Sequence, residues 1–281
     1  MGDPFLGSEA VARGVLTRSQ LSTGYVRLFR DVYVGRDSEV TAELRARAAW
    51  LWTGRQGVVA GFSAAALHGS KWVDGMTAVD LIHDNRHPQA GIRAHGDRIG
   101  DEEIVALGGI PVTSPARTAL DLGCWYPTMT AVAGIDALAR ATQIKAADVE
   151  LLAERYSGRR GIVQAREAIA LFDAGAQSPK ESWLRVVLIQ AGLPRPQTQI
   201  QVLDEFGSVF AYLDMGWEEV KVAVEYDGEQ HRSDRFQYTW DIRRLEKIER
   251  LGWIVIRVVA GDRPADIVRR VRAARAGRAQ N

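Results

Sequence analysis

The chain has 281 residues, which exceeds one small core and is typical of two or three domains. Its 36 lysines and arginines balance 35 aspartates and glutamates, so the overall charge does not indicate nucleic-acid binding, although a local basic face remains compatible with it. The single cysteine, Cys124, excludes an intramolecular disulfide and a thiolate zinc site, as expected in a reducing cytosol.

The N-terminus and the apolar runs bear on localisation. Residues 1–14 lack the basic and apolar regions of a secretory signal. The longest apolar stretch, VVAGFSAAAL, is about half as long as a membrane-spanning helix must be. We therefore expect a cytoplasmic protein without a membrane partner.

Residues 1–37 give two short helical patterns followed by a stretch in which apolar and polar residues alternate. Thr17 is a plausible N-cap of the second helix. The alternation from Val26 to Val34 indicates a β-ribbon. Helix, turn, helix and ribbon occur in the order of a winged helix, but an N-terminal cap of the next domain fits the pattern equally well.

Residues 38–175 are predicted to be mainly helical. Ser38 is the expected N-cap of an alanine-rich helix, and Ser114, with a proline directly after it, begins another helix. A single segment, AVDLIH, is strand-like. The segment DAGAQSPK, residues 173–180, is the best candidate for a linker to the last domain.

Residues 176–281 change in character. Ser178, the following proline and Glu181 form the capping-box start of a helix. Three strand patterns follow, and then an amphipathic helix, an apolar strand and an arginine-rich helix. The order α-β-β-β-α-β-α predicts a compact α/β unit with a mixed sheet flanked by helices. The whole chain is thus expected to be an α+β multidomain protein.

The third strand of this last unit ends in VEYDGEQH, residues 224–231. The two-residue period of a strand places Glu225 and Asp227 on one face, and a hairpin would bring Asp214 beside them from the end of the preceding strand. Clustered carboxylates repel one another, and Mg²⁺ or Mn²⁺ is a natural partner for them. Such a metal can position water at a phosphodiester, and His231 could move a proton of that water. The alternative is an ordinary Asp-Gly turn at a solvated hairpin end.

Five elements occur in order over roughly residues 178–260: a helix with an early glutamate, a strand ending in aspartate, E-x-D-G-x-x-H, D-x-x-R and G-W-x-V-x-R. In this arrangement the segment resembles the PD-(D/E)XK nuclease superfamily. More narrowly, it resembles the very-short-patch-repair endonucleases and the domain family grouped with them. The resemblance implies a restriction-endonuclease-like fold and Mg²⁺-dependent cleavage of DNA.

The resemblance also assigns roles to individual residues. It makes Asp214 and Glu225 metal ligands, together with the backbone carbonyl of Tyr226, and it makes His231 a catalytic histidine. Asp227 stands where the superfamily usually has a lysine. Water activation would therefore fall to His231 or to a second metal.

Three further residues have both a functional and a structural interpretation. Glu181 matches the early helical glutamate and is equally well explained as part of a capping box. Asp241 matches the aspartate of D-x-x-R, which faces the site in the resembling families, but it could simply pair with Arg244 one turn away. Arg257 lies in an otherwise apolar strand, and a buried arginine there needs a partner such as a site carboxylate.

The first part of the chain carries a second resemblance. Residues 5–35 and the motifs SAAALHG and IPVTSPARTALDLG resemble the AbiEi-type antitoxins of abortive-infection systems, over about residues 1–125. This implies DNA binding through the N-terminal unit. The arginines suited to phosphate contacts are Arg18, Arg27 and Arg30 in that unit and Arg263, Arg269, Arg270, Arg272 and Arg275 in the C-terminal helix. The three N-terminal arginines could equally be solvated surface residues.

The leading prediction is a metal-dependent DNA endonuclease with a winged-helix-like unit at 1–37, a helical domain at 38–175 and a restriction-endonuclease-like domain at 176–281. The alternative is an antitoxin-like DNA-binding regulator whose nuclease fold is inactive, which the missing lysine favours. An RNA nuclease is a third interpretation. The sequence does not choose between repair and phage defence, and it leaves open a homodimer and a toxin or repair partner.

Overall fold

The computed structural model describes residues 2–85, 87–228 and 235–279. The chain forms two compact units, Met1–Phe172 and Asp173–Asn281, and the division falls beside the expected linker at 173–180. Both units combine helices with mixed or antiparallel sheets, so the α+β multidomain class is confirmed. Within the described ranges, no helix has the length and apolar composition needed to cross a membrane.

The first unit contains a three-stranded sheet, a five-stranded sheet and a set of helices. The strand orders are β1-β3-β2 and β6-β5-β4-β8-β7. The elements are β1 Phe5–Leu6, α1 Gly7–Ala12, α2 Arg18–Gly24, β2 Tyr25–Phe29, β3 Val32–Gly35, α3 Ala42–Trp52, β4 Val58–Val59, α4 Gly61–Leu67, β5 Val79–Ile82, β6 Ile92–His95, β7 Ile104–Leu107, β8 Ile110–Thr113, α5 Pro115–Trp125, α6 Thr128–Thr142, α7 Ala146–Arg155 and α8 Ile162–Leu171.

The N-terminal segment has the expected local elements. Thr17 caps α2 in a complete capping box with Gln20, and β2 and β3 pair as an antiparallel ribbon. However, Phe29 and Val32 lie in the same buried core as Ala46 of α3 and residues of the five-stranded sheet. Residues 1–37 therefore share a core with later elements of the first unit.

The expectation of a helical region at 38–175 was incomplete. Besides its helices, the region contains the five-stranded sheet, of which the sequence pattern indicated only the AVDLIH strand, now β5. The other strands are two to four residues long, too short to show a two-residue period. Ser114 caps α5 as expected, whereas the N-cap of α3 is Thr41 and not Ser38.

A buried ion network joins the helices of this unit to its sheet region. Arg117 and Asp121 lie one turn apart on α5, and the Nε of Arg117 donates to Oδ1 of Asp121 at 2.8 Å. Arg117 also pairs with Glu103, and Arg159 pairs with Asp121 at 2.7 Å. All four side chains are at most 7% exposed. Removing one partner from such a network leaves another charge buried and uncompensated.

We expect Asp121→Asn to lower the free energy of unfolding by about 3–5 kcal/mol, because two buried guanidinium groups lose their shared carboxylate. Guanidinium denaturation followed by circular dichroism measures this loss. The control is Glu102→Gln, which removes a carboxylate paired with Arg155 at the exposed surface and should change stability little. Equal effects of the two substitutions would contradict a structural role for the network.

The second unit has the order α-β-β-β-α-β-α that the sequence predicts. Its four strands lie in the order β12-β11-β10-β9, with β11 and β12 parallel and the other pairs antiparallel. The elements are α9 Pro179–Gln190, β9 Gln197–Leu203, β10 Val209–Trp217, β11 Val222–Asp227, α10 Arg235–Arg250, β12 Ile254–Val259 and α11 Pro264–Ala279.

Strand β11 is central to this unit because both of its faces are covered. Val222 and Val224 pack in a buried cluster with Leu184 of α9 and Ile267 of α11. Ala223 lies in a different cluster, which contains Ile248 of α10. This alternation confirms the two-residue period expected for the strand. At the end of β11, Tyr226 still packs against the first of these clusters, whereas Glu225 and Asp227 supply the polar end of the strand.

Candidate active site

The candidate site begins where the pairing of β10 and β11 ends. The last antiparallel partners are Met215 and Val224, so Asp214 and Glu225 are the next residues on the two strands. There the amide N–H of Tyr226 donates to Oδ2 of Asp214 at 2.9 Å. A side-chain carboxylate thus accepts from the backbone of β11. Asp214 lies inside β10, which continues to Trp217, and not at a strand end as expected from the sequence.

The surroundings of Asp214 are unfavourable for a negative charge. Burial raises the pKa of Asp214 to about 7, and the carboxylates of Glu181 and Glu225 add to this. The Tyr226 amide and the Arg244 guanidinium act in the opposite direction but do not cancel the effect. Three carboxylates from α9, β10 and β11 are therefore close enough to influence one another. The sequence predicted that Asp214 and Glu225 would come together, but with Asp227 as the third carboxylate and not Glu181.

Glu181 takes part in a helix cap and also lies near the site. Its Oε1 accepts from the Ser178 hydroxyl at 2.9 Å, and its Oε2 accepts from the Gln177 amide at 2.8 Å. The Ser178 hydroxyl in turn accepts from the Glu181 amide. Ser178 is therefore the N-cap as expected, but the capping box is incomplete, because Glu181 accepts from the Gln177 amide and not from the Ser178 amide. The same carboxylate is close enough to Asp214 to raise its pKa.

Arginines pair with the two carboxylates at the end of β11. Arg244 of α10 contacts Glu225 through Nη2 at 2.7 Å and through Nη1 at 3.4 Å. Arg257 of β12 contacts Asp227 at 2.6 Å. The expected site-carboxylate partner of Arg257 is therefore present, but its side chain is 46% exposed and not buried as expected from the apolar strand. The side chain projects from a face of β12 that solvent reaches.

Arg244 was not among the site residues predicted from the sequence. The signal lay in the D-x-x-R pattern, because the resemblance implies that Asp241 and Arg244 both face the site. The side chain of Asp241 and the whole of His231 lie outside the described residues. The expectations for these two residues therefore stay predictions.

The oxygen donors around Asp214 fit a hard divalent cation. Among the described residues, no group of three or more His, Cys, Asp or Glu side chains has the arrangement of a metal site. Mg²⁺, however, commonly takes one or two carboxylates and keeps several waters. Asp214 and Glu225 supply two carboxylates at adjacent positions, and the raised pKa of Asp214 is a penalty that a cation would relieve. The donor set is therefore suitable for Mg²⁺ or Mn²⁺.

The arginines proposed for phosphate contacts fall into two groups. Arg18, Arg27 and Arg30 are all exposed on the surface of the first unit. In the C-terminal helix, Arg270 pairs with Asp262 and donates to the Arg257 carbonyl, while Arg272 donates to the Ala191 carbonyl. Arg269 is exposed and pairs with Asp266 at 2.7 Å. Arg270 and Arg272 thus help to fix α11 to its own unit, which reduces their freedom to bind a phosphate.

Comparison with known proteins gives relatives without an assigned activity. Two proteins of Mycobacterium tuberculosis, from strains CDC 1551 / Oshkosh and ATCC 25618 / H37Rv, are each 28% identical to the chain over 254 residues. The alignment covers 88% of this chain and 92% of each relative, and both relatives are described as uncharacterized proteins. No family model matches the chain, and no solved structure gives a significant match. The chemistry of the site is therefore argued from its own geometry.

We expect the stability of the protein to fall as pH rises from about 4 to about 7.5, relative to Asp214→Asn. The folded protein binds a proton at Asp214 up to about pH 7, whereas the unfolded chain releases it near the ordinary pKa of 3.8. Between these values the folded state binds more protons, so each rise in pH favours unfolding. The full loss is about 4 kcal/mol at most.

Denaturant titrations across this pH range measure the difference. The control is Glu205→Gln, which changes an exposed carboxyl group in the turn between β9 and β10 and should leave the pH profile as in the wild type. Parallel profiles for the wild type and Asp214→Asn would show that Asp214 titrates normally in the folded protein.

Proposed function

We propose that the protein is a divalent-metal-dependent nuclease that hydrolyses phosphodiester bonds in DNA. The observation that carries this proposal is the juxtaposition of Asp214 and Glu225 on neighbouring strands, with Glu181 near enough to raise the pKa of Asp214. Carboxylates concentrated in a partly buried place give no stability, because burial and mutual repulsion both penalise their charged forms. A divalent cation bound between them would remove this penalty.

Each residue of the site would have a separate role in the reaction. Asp214 and Glu225, with the carbonyl of Tyr226, would hold Mg²⁺ or Mn²⁺. The bound ion supplies neutralisation of the charge that develops on the phosphodiester. His231 would move the proton of the attacking water, as the nuclease resemblance implies. Asp227 would orient a water and hold Arg257 at the end of the sheet, where its charge attracts a phosphate.

DNA is the favoured substrate for two reasons. The resemblance to short-patch repair endonucleases implies it. In addition, Arg18, Arg27 and Arg30 are exposed on the first unit, where phosphates can reach them. These arginines would supply affinity without sequence preference, so binding should weaken as the salt concentration rises.

The purified full-length protein should nick or cut plasmid DNA when Mg²⁺ or Mn²⁺ is added and should be inactive in EDTA. Asp214→Ala and Glu225→Ala should each lower the cleavage rate at least about 100-fold, because a lost metal ligand forfeits several kcal/mol of transition-state stabilisation. Gel analysis of initial rates on supercoiled plasmid, linear duplex, single-stranded DNA and RNA measures both the activity and the substrate class.

The matched control for this experiment is Glu249→Ala, which removes an exposed carboxylate of α10 and should leave the rate unchanged. If the wild type cleaves no faster than the double variant Asp214→Ala, Glu225→Ala in either metal, the nuclease proposal is wrong. Faster cleavage of RNA than of DNA would support the proposed mechanism but would identify RNA as the substrate.

A second function is favoured by the arginine pairs. Glu225 is held by Arg244 and Asp227 by Arg257, and the superfamily's lysine position is occupied by Asp227. Such pairing is what a nuclease fold retained only as a scaffold would show. The protein would then be an antitoxin-like DNA-binding regulator that acts through its first unit.

On this second proposal, the full-length protein should bind duplex DNA containing its own upstream region without cleaving it. Replacing Arg18, Arg27 and Arg30 together by alanine should weaken binding and lower the slope of log affinity against log salt by about 2 to 3, because each lost phosphate contact contributes about 0.9. Fluorescence anisotropy at several salt concentrations measures both quantities.

The control replaces three other exposed arginines of the first unit, Arg140, Arg160 and Arg166, by alanine. These substitutions remove the same formal charge from two helices and a turn outside the N-terminal segment. Equal losses for the two triple variants would indicate a general charge effect, and no loss for either would exclude the N-terminal segment as the DNA-binding surface.

A further inference from the structure

Arg244 is paired with Glu225, the carboxylate that the proposed metal would also need. The Arg244 and Glu225 side chains are only 17% and 13% exposed, and Nη2 of Arg244 donates to Oε1 of Glu225 at 2.7 Å. The same nitrogen donates to the Tyr212 carbonyl at 2.7 Å. The second contact to Glu225, from Nη1, is long at 3.4 Å. One edge of the guanidinium is therefore well held, while Nη1 is held weakly.

A guanidinium and a divalent cation compete for the same carboxylate. Glu225 can give its full charge to a metal only if Arg244 releases it, and a half-buried guanidinium that loses its carboxylate must find another anion. A phosphate is the anion whose geometry suits the planar fork of arginine best. The contact to the Tyr212 carbonyl would keep Arg244 beside the site during such an exchange.

We propose that Arg244 exchanges Glu225 for a phosphate of the nucleic acid, so that nucleic acid and divalent metal reinforce each other's binding at this site. This inference rests on the proposed nuclease function and adds to it a residue that contacts the substrate and a coupling between the two ligands. The coupling is reciprocal by linkage: if the duplex tightens metal binding, the metal tightens duplex binding by the same factor.

The charge balance at the end of the sheet agrees with this exchange. Glu181, Asp214 and Glu225 influence one another, and Glu225 and Asp227 are paired with Arg244 and Arg257. A third cation is near, because the Nζ of Lys180 lies 5.9 Å from the centroid of the Tyr226 ring, so four carboxylates face three cations. Metal alone would have to displace a cation that is already paired. Phosphate alone would bring an anion next to carboxylates. Both ligands together add opposite charges and leave every group with a partner.

The test measures Mn²⁺ binding to the full-length protein by electron paramagnetic resonance, with and without a 20-base-pair DNA duplex. In the wild type, the duplex should raise Mn²⁺ affinity at least about tenfold. In Arg244→Ala, Mn²⁺ should bind at least as tightly without DNA, because Glu225 is free, and the duplex should change its affinity less than about twofold. Arg244→Lys keeps the positive charge but lacks the planar guanidinium that can donate two hydrogen bonds to one phosphate. It should therefore restore only part of the coupling between duplex binding and Mn²⁺ binding.

A control separates this exchange from simple charge removal. Arg250→Ala removes a charge from the exposed surface of α10 and should behave as the wild type. Thermal unfolding checks that each variant is folded. If Arg244→Ala does not fold, the comparison is made with Arg244→Lys alone.

The outcomes distinguish this inference from the proposed function. If wild-type Mn²⁺ binding depends on Asp214 and Glu225 but is unaffected by the duplex, or if Arg244→Ala keeps the tenfold effect, the exchange is overturned and the nuclease proposal stands. If Asp214→Ala and Glu225→Ala leave Mn²⁺ binding unchanged, or the wild type binds no Mn²⁺ at all, both are overturned.

Discussion

The second unit depends on the hydrogen bond from the Tyr226 amide to the Asp214 carboxylate. This hydrogen bond forms where the backbone pairing of β10 and β11 ends. It holds the Asp214 carboxylate in a partly buried place that opposes its negative charge. The surrounding elements add further charged groups. The Glu181 carboxylate of α9 opposes the charge of Asp214, while Arg244 of α10 and Arg257 of β12 pair with Glu225 and Asp227. The helices and the sheet are thus fixed around a polar junction as well as around their apolar cores.

The buried ion network of the first unit differs from this polar junction, and the difference supports a functional role for the junction. There, Asp121 is shared by Arg117 and Arg159, and Glu103 is paired with Arg117, so carboxylates and guanidinium groups are matched in a buried place. Among the described residues of the second unit, Asp214 is held by an amide and not by a cation. Matched charges are what a structural network needs, whereas an excess of carboxylate is what a cation site needs.

How much the sequence predicted depended on the length of each pattern. The strands of the second unit have six to nine residues, so their period, their order and the faces of Val222, Ala223 and Val224 could be predicted. Of the five-stranded sheet of the first unit only β5 was predicted, because strands of two to four residues hardly show a period. At the site, the hairpin expected between β10 and β11 predicted that Asp214 would lie near Glu225. The pairing of Arg244 with Glu225 needed the position of α10 on the sheet, which no local pattern specifies.

The nucleases that the segment resembles usually have a lysine where this chain has Asp227, and the pair that Asp227 forms bears on that difference. Arg257 brings a cation from the neighbouring strand to the same end of the sheet, so the positive charge that the lysine would supply is still present there. A guanidinium, however, keeps its protons at any physiological pH, so Arg257 can stabilise a phosphate but cannot take a proton from water. In the proposed nuclease, charge stabilisation and proton transfer are therefore divided between two residues. Arg257 would supply the first, and the second would fall to His231, because histidine is a common general base.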